Sequence, residues 1–165
     1  MRIVMILAAM LLGGCHVEKN SPGGMQETGN TKKWDLLTEY WVRHDFEKMP
    51  VHHQEMAAAY FLDSEIQNGG FDQYFFNRGY GQVGSARKAM KKLGAESQLL
   101  LLDQAIQRVE ASHGSIDKIS DEQAREIDTL KLDDLDTKYF KVSPALTDLV
   151  EAEVLKNNER YQPAR

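Results

Sequence analysis

The stretch from Glu65 to Asn77, EIQNGGFDQYFFN, places acid and amide side chains beside two glycines and four aromatic residues. Gln73 and Asn77 are four residues apart, so on a helix they are neighbours on one face. Together with Glu65 they would form a polar pocket of the kind that orients a small ligand or the substrate of a hydrolase. A ligand-binding or hydrolytic pocket is therefore one interpretation of this stretch.

The same residues also suit a structural role at a tight corner between two helices. Gly69 and Gly70 tolerate a positive φ and so end a helix sharply. Glu65 borders the apolar stripe of the preceding helix. We expect its carboxylate to accept backbone N–H bonds at the start of the next helix, where the helix dipole favours negative charge. We therefore expect the polar residues of the stretch to act first as structure and second as a site; they are Glu65, Asn68, Gln73 and Asn77.

Three histidines, His44, His52 and His53, lie among acidic residues. A helical zinc site uses two histidines on one face, as in H-E-x-x-H, and this pattern is absent from the sequence. His52 and His53 would point about 100° apart on a helix. We therefore expect surface or partly buried histidines, and neither a metal site nor a cofactor. Ser64 lies outside any nucleophile-elbow motif, and no catalytic residue is predicted.

The N-terminus has the features of an export signal. Arg2 precedes an apolar run over residues 3–12 that is too short for a membrane span, which needs about 20 apolar residues. A positive tip, a short apolar run and small residues after it are typical of a secretory signal peptide. An ordinary signal peptide cut nearby would leave Cys15 as a free thiol.

The string LLGGC, residues 11–15, resembles the bacterial lipobox. In that family the signal peptide is cut before the cysteine, whose thiol and new amino group are then acylated. The resemblance implies a lipoprotein signal peptide over residues 1–14 and a lipidated Cys15. His16, rather than Asp, follows the cysteine. This resembles the sorting pattern of lipoproteins in diderm bacteria that favours the outer membrane, facing the periplasm or the surface. Two or three acyl chains would anchor the protein stably, because each buried methylene contributes roughly 0.8 kcal/mol.

Length and charge allow one ordinary domain. The chain has 165 residues, a net charge of −5 and one cysteine, so it has no intrachain disulfide. The mild charge does not indicate nucleic-acid binding by the whole chain. After Cys15, residues 15–31 are rich in glycine and poor in large apolar residues, which predicts a flexible tether. The folded domain is expected over residues 32–161, with a tail over residues 162–165.

Apolar residues recur at helical spacing along most of this domain. Each stripe must be buried against another helix, so the sequence predicts an all-α fold, a compact single-domain bundle of about six to eight helices. The stripes are Trp34, Leu37 and Trp41; Ala59, Leu62 and Ile66; Val83, Ala86, Met90 and Leu93; and Leu99, Leu102, Ile106 and Val109.

Two pairs of residues predict helix starts. Ser120 and Gln123 form an S-x-x-Q capping box, which begins a short helix toward Leu130. Ser143 and Pro144 suit the N-cap and the first position of a last helix.

The glycine stretch resembles a bacterial family of domains of unknown function whose best-known member is a DNA-mimic protein. The family pattern is E-x-x-N-G-G-F-x-Q-[YF]-[FY]-x-N, and the similarity continues through LGA at residues 93–95 and LDDLDTKYF at residues 132–140. The resemblance covers most of residues 32–161 and implies an all-helical fold and a protein-binding role in one member; it does not imply an enzyme. The matching residues are Glu65, Asn68, Gly69, Gly70, Phe71, Gln73, Tyr74, Phe75 and Asn77.

A DNA mimic needs a dense face of carboxylates at phosphate-like spacing. The candidates for such a face are Asp117, Asp121, Glu122, Asp128, Asp133, Asp134 and Asp136. An ordinary solvated surface is the preferred interpretation of these residues. A basic cluster elsewhere makes the protein a charge mosaic, unlike a uniform decoy for DNA. That basic cluster is Arg78, Arg87, Lys88, Lys91 and Lys92.

These observations favour a lipid-anchored protein-binding module of the bacterial cell envelope. One version is an inhibitor or immunity protein that blocks a toxin or an envelope enzyme. The alternatives are a small-ligand binder or hydrolase that uses Glu65, Gln73 and Asn77, and a DNA mimic that binds a DNA-binding protein. The expected partners are the membrane, through Cys15, and another protein but no nucleic acid; a homodimer is left open.

Overall fold

The computed structural model describes residues 29–120, 122–123 and 131–162. The predicted signal peptide, Cys15 and most of the predicted tether lie outside these residues. Six α-helices are present and no strand occurs in the described ranges, so the predicted all-α class and helix number are confirmed. The helices are α1 (Gly29–Arg43), α2 (Val51–Arg78), α3 (Val83–Leu93), α4 (Glu96–His113), α5 (Asp133–Tyr139) and α6 (Leu146–Lys156). Short 3-10 turns lie at Phe46–Lys48, Ile116–Lys118 and Asn158–Tyr161.

Helix α2 is the centre of the bundle and packs against α1, α3, α5 and α6, while α4 covers α3 and α5. The predicted apolar stripes supply the core: Trp41, Leu62, Ile66 and Met90 are buried almost completely. Trp34, Leu93 and Leu99 lie at the edge of this core and are partly buried. The helical periodicity of the sequence therefore identified the packed faces correctly.

The capping box predicted at Ser120 and Gln123 is confirmed, whereas the first helix begins earlier than the predicted domain does. The capping box is formed: the Ser120 N–H donates to Gln123 Oε1 at 2.9 Å, and the Gln123 N–H donates to Ser120 Oγ at 3.2 Å. The helix expected beyond it, toward Leu130, lies outside the described residues. Helix α1 begins at Gly29, three residues before the predicted start of the folded domain at residue 32.

The predicted start of the last helix is wrong. Helix α6 begins at Leu146, two residues after Pro144, and no local side chain caps it. The free N–H of Thr147 instead donates to Oδ2 of Asp63 at 3.0 Å, and the Thr147 hydroxyl donates to the same oxygen at 2.6 Å. The buried Tyr139 hydroxyl donates to Asp63 Oδ1 at 2.9 Å. A carboxylate from α2 thus replaces the predicted Ser143 cap.

The three histidines occupy two different environments. His44 and His52 each donate a ring N–H to a backbone carbonyl, of Tyr40 and Arg160 respectively. His53, expected at or near the surface, is only 2% exposed, and its Nδ1 accepts the indole N–H of Trp41 at 3.0 Å. Burial and the neighbouring His52 lower the pKa of His53 to about 4. His53 is therefore a neutral core residue that holds α1 against α2.

This burial predicts an acid-sensitive fold. The pKa of His53 is lower in the folded state than its ordinary value near 6.5, so the unfolded chain binds a proton more readily between these values. Its contribution to stability is complete above about pH 6.5 and is lost as the pH falls toward 4. We expect the free energy of unfolding to fall by about 2 kcal/mol from pH 7 to pH 5 through this group.

Urea unfolding at both pH values checks this expectation. His53→Gln keeps an acceptor for Trp41 but does not titrate, so it should show a smaller difference between pH 7 and pH 5. His44→Gln, at an exposed position, is the matched control and should behave as the parent protein does. An identical pH dependence in the parent and in His53→Gln would contradict the assignment.

Candidate functional site

The paired glycines bend α2 into two segments, residues 51–68 and 71–78. Gly69 has φ −163° and ψ 24°, and Gly70 has φ 80° and ψ −176°, so both leave the helical conformation. Only glycine populates the Gly70 conformation readily, and another residue would cost of order 1–3 kcal/mol there. Gly79, with φ 61°, ends the second segment.

Glu65, before the bend, is tied to three side chains that follow it. Its Oε2 accepts hydrogen bonds from Gln73 Nε2 at 2.9 Å and from Asn77 Nδ2 at 2.7 Å. Its Oε1 accepts from Arg78 Nε at 3.0 Å, and the side chain of Glu65 is only 14% exposed. The structure therefore brings together the three polar residues that the sequence grouped, and adds Arg78. We call these four residues the clasp.

The backbone at the bend is bound by a different acid from the one predicted. The N–H of Phe71, expected to donate to Glu65, instead donates to Oδ1 of Asp136 at 2.9 Å. Asp136 lies on α5 and reaches Gly70 so closely that a Cβ there would overlap its Oδ2. The prediction for Glu65 is wrong because its carboxylate is already occupied by side-chain donors on the other side of the bend.

The aromatic residues of the motif divide between core and surface. Phe71, Tyr74 and Phe75 are buried, whereas Phe76 is 53% exposed, as the helical spacing predicts. The Tyr74 hydroxyl is buried without a hydrogen-bond partner among the described residues, and this burial raises the pKa of Tyr74. Asn68 is exposed, and its side chain forms no hydrogen bond in the part of the chain that the structure describes. Asn68 is thus the polar motif residue without a structural partner.

The predicted acidic face is only partly a surface of free carboxylates. Asp117, Glu122 and Asp133 are exposed, whereas Asp121 and Asp128 lie outside the described residues. Two members are engaged in contacts, which corrects the prediction for them. Asp134 forms an ion pair with Arg108, with Nη2 and Oδ2 2.8 Å apart. Asp136, as described above, binds the backbone at the bend.

The basic cluster is also largely paired. Arg78 binds Glu65. Arg87 Nη2 lies 2.6 Å from Asp103 Oδ1, and Lys92 Nζ lies 2.8 Å from Glu153 Oε1. Lys88 and Lys91 are exposed and form no ion pair within the described ranges. Neighbouring charges on this protein therefore neutralise each other over short distances.

One side of the bend keeps an excess of negative charge. Burial raises the pKa of Asp136, and the charges of Asp133 and Asp134 raise it further, although the Phe71 N–H opposes them. Burial likewise raises the pKa of Asp72, together with the charges of Asp136 and Asp133. Asp72, Asp133 and Asp136 thus repel one another next to the glycine pair.

The chemistry available at the clasp is hydrogen bonding rather than bond cleavage. Amide and guanidinium groups are not nucleophiles at neutral pH, and the Glu65 carboxylate already accepts three donors. No group of three His, Cys, Asp or Glu side chains is arranged to hold a metal ion within residues 29–120, 122–123 and 131–162. The arrangement therefore resembles a brace between two helix segments.

Sequence reasoning missed the structural roles of Asp63 and Asp136. Both acids sit beside apolar positions at helical spacing, Asp63 next to Leu62 and Asp136 next to Leu135. An acid at the edge of a buried stripe must find hydrogen-bond donors, and this was the available signal. The identity of those donors depends on helices distant in sequence, which the pattern does not reveal.

The chain is similar to a known protein family. A family model described as DMP19-like protein matches residues 47–158, more than half of the chain. The match includes the bend, the clasp and Asp136, whereas α1 precedes it. No curated protein and no solved structure matches the chain.

The geometry at Gly70 predicts a sensitive position. We expect Gly70→Ala to lower the free energy of unfolding by about 3 kcal/mol, through backbone strain and through displacement of Asp136 from the Phe71 N–H. Gly70→Val should cost more, because its side chain is branched at Cβ. Gly81→Ala is the matched control, since an added Cβ there meets no atom within 4 Å. Equal unfolding midpoints for the two alanine variants would refute this description of the bend.

The clasp predicts a difference between two polar residues of the same motif. Glu65→Ala leaves Gln73, Asn77 and Arg78 without their acceptor, so we expect a loss of about 1–3 kcal/mol in the free energy of unfolding. Asn68→Ala should change stability by less than about 0.5 kcal/mol, as exposed substitutions usually do. Thermal and chemical unfolding of both variants tests this. An unchanged midpoint in Glu65→Ala, with binding or activity lost, would mean that the motif is a functional pocket.

Proposed function

Because the chain belongs to the family of DMP19-like proteins, we propose that it is a protein-binding module rather than an enzyme. At the level of the family, membership supports a protein-binding role of the DNA-mimic type.

The observation that carries the proposal is the occupation of the motif by internal contacts. Glu65 accepts from Gln73, Asn77 and Arg78, so these groups brace the bend and do not converge on an empty space. A hydrolase or small-ligand binder that used Glu65, Gln73 and Asn77 would need these groups free to meet a substrate. The internal bonding favours a rigid scaffold whose surface binds another protein.

We further propose that the domain is held at a bacterial membrane by lipid on Cys15. The support is the LLGGC string after a short apolar run and the position of the single cysteine within it. None of the described helices is both long and apolar enough to cross a bilayer. His16 after the cysteine favours the outer membrane, facing the periplasm or the surface, where an inhibitor or immunity protein would meet a toxin or an envelope enzyme.

The second candidate function is DNA mimicry, which the family name favours. The negative surface would be formed by the exposed residues Asp117, Glu122 and Asp133, together with Asp72 near the bend. The ion pairs of Asp134 with Arg108 and of Arg87 with Asp103 reduce this surface, because a decoy for DNA needs uncompensated charge. We therefore rank it below binding of an envelope protein.

Membrane fractionation and co-purification test the proposal together. We expect the full-length protein to stay with membranes after a high-salt wash and to carry a partner protein with it after solubilisation in detergent. Cys15→Ser should be released into the soluble fraction, because it removes the acylated residue. A serine variant that resists the salt wash would refute the lipid anchor.

The recovered complex then distinguishes the two binding functions. If added duplex DNA displaces the partner stoichiometrically, and less effectively at high salt, the protein is a DNA mimic. If DNA has no effect, the envelope-protein function stands. Recovery of no partner by the lipidated protein, under conditions in which it stays folded, would count against a binding module.

A further inference from the structure

Helix α1 is joined to the bundle by its apolar face and by a hydrogen bond to a titratable group. It packs on α2 and α6 through three buried residues: Leu37, Tyr40 and Trp41. The Thr38 hydroxyl donates to carbonyls within α1, and Arg43 pairs with Glu39 of the same helix. The indole N–H of Trp41, by contrast, donates to Nδ1 of His53 on α2 at 3.0 Å. This bond therefore links α1 to α2 through a side chain whose charge depends on pH.

The bond fixes the protonation state of His53. An indole nitrogen only donates, so Nδ1 of His53 accepts and carries no proton. Protonation places an N–H on both ring nitrogens, and two donors then face each other. Because His53 is buried, water cannot supply the lost acceptor to Trp41 while α1 stays in position. The closed arrangement of α1 on α2 is thus incompatible with an imidazolium.

The surroundings of His53 offer no negative charge that would stabilise an imidazolium. Three rings lie around it, with centres 4.7, 5.2 and 5.7 Å away: those of His52, Tyr40 and Tyr161. Lys92 donates to the Tyr161 hydroxyl at 2.9 Å, and the carboxylate of Glu153 is already paired with Lys92. Two further neighbours carry positive charge or none: His44, on the Tyr40 ring, and Arg160, on the Tyr161 ring. Within the described ranges, no carboxylate forms a hydrogen bond or an ion pair with His53.

The other helices have attachments that do not involve His53. Asp63 ties α2 to α5 and α6, and Asp136 ties α5 to the bend. The family match begins at residue 47, so it includes α2 to α6 and leaves α1 outside. Proteins open locally in contiguous units at free energies below that of global unfolding. Helix α1 is therefore the unit that loss of the Trp41–His53 bond releases most directly.

We propose that α1 is a proton-controlled cover: when His53 takes up a proton, α1 separates from α2 while α2 to α6 stay packed. The proton and the Trp41 indole N–H compete for the same nitrogen, so acid favours the open form. Opening uncovers Tyr60 of α2, whose ring centre lies 5.7 Å from that of Trp34 and 5.8 Å from that of Trp41. Acid therefore exposes an aromatic surface that α1 covers at neutral pH. The inference depends neither on the lipid anchor nor on the proposed binding function.

Amide hydrogen exchange of the full-length protein measures the opening of α1 separately from global unfolding. We expect the amides of α1 to be less protected than those of α4 and to depend less on urea, because local opening exposes little surface. From pH 7 to pH 5 the opening constant of α1, corrected for intrinsic exchange, should rise about twentyfold. This factor follows from a His53 pKa of about 6.5 in the open form and about 4 in the closed form. Equal protection and equal urea dependence in α1 and α4 would overturn the proposal.

Two histidine variants test whether His53 takes up the proton. His53→Asn places an amide oxygen near the position of Nδ1, so it keeps an acceptor for Trp41 but does not titrate. Whatever its stability at pH 7, its α1 opening constant should change by less than about twofold between pH 7 and pH 5. His44→Asn, at an exposed position, is the matched control and should keep the full rise. A full rise that survives in His53→Asn would assign proton uptake to another group and refute the proposed cover.

The indole N–H of Trp41 reports on the hydrogen bond itself. The chain has two tryptophans, both in α1, so Trp34→Phe leaves a single indole signal in the NMR spectrum of the 15N-labelled protein. We expect the opening constant from exchange of this N–H to match that of the α1 amides at both pH values. An opening constant equal to that of the α4 amides would show that only global unfolding breaks the bond, which contradicts the proposal.

Discussion

The fold depends on the satisfaction of one backbone donor, the N–H of Phe71. When Gly70 leaves the helical conformation, the first turn of residues 71–78 has no preceding carbonyls to accept its N–H groups. Asp136 accepts the Phe71 N–H across the bundle, at the point where a Cβ on Gly70 would exclude it. The bend in α2 therefore determines where α5 must lie. A side chain larger than hydrogen at residue 70 would disturb both the turn and this helix contact.

A second carboxylate, that of Asp63 on α2, binds groups of the two C-terminal helices. Asp63 of α2 binds the first turn of α6 through Thr147 and accepts the hydroxyl of Tyr139, the last residue of α5. Thus Asp136 of α5 binds the backbone of α2 at the bend, and Asp63, nearer the start of α2, binds the first turn of α6. Because each of these acids binds donors that are otherwise unsatisfied, loss of either leaves buried polar groups without partners. The two C-terminal helices are held to α2 by polar contacts as well as by their apolar faces.

These contacts explain what the sequence could and could not predict. Spacing alone identifies the helical stripes and the Ser120–Gln123 capping box, because both are local features of the sequence. The start of α6 was misplaced because Ser143 and Pro144 form a good local signal, whereas the acceptor in the structure comes from Asp63, 84 residues away from Thr147. The clasp was grouped correctly because Gln73 and Asn77 share a helix face. Its additional member Arg78, and the acid that binds Phe71, depend on three-dimensional packing.

Arg78 links the clasp to the core of the bundle. Its Nε donates to Glu65, and its guanidinium lies 4.1 Å from the centre of the Phe61 ring. Removal of the Glu65 carboxylate would therefore release Arg78 as well as Gln73 and Asn77, so the effect of Glu65→Ala extends beyond the bend. For this reason a loss of binding in Glu65→Ala places Glu65 in a ligand site only where the unfolding midpoint is unchanged. A loss of binding together with a lower midpoint would instead reflect a brace whose removal disturbs the surface that it supports.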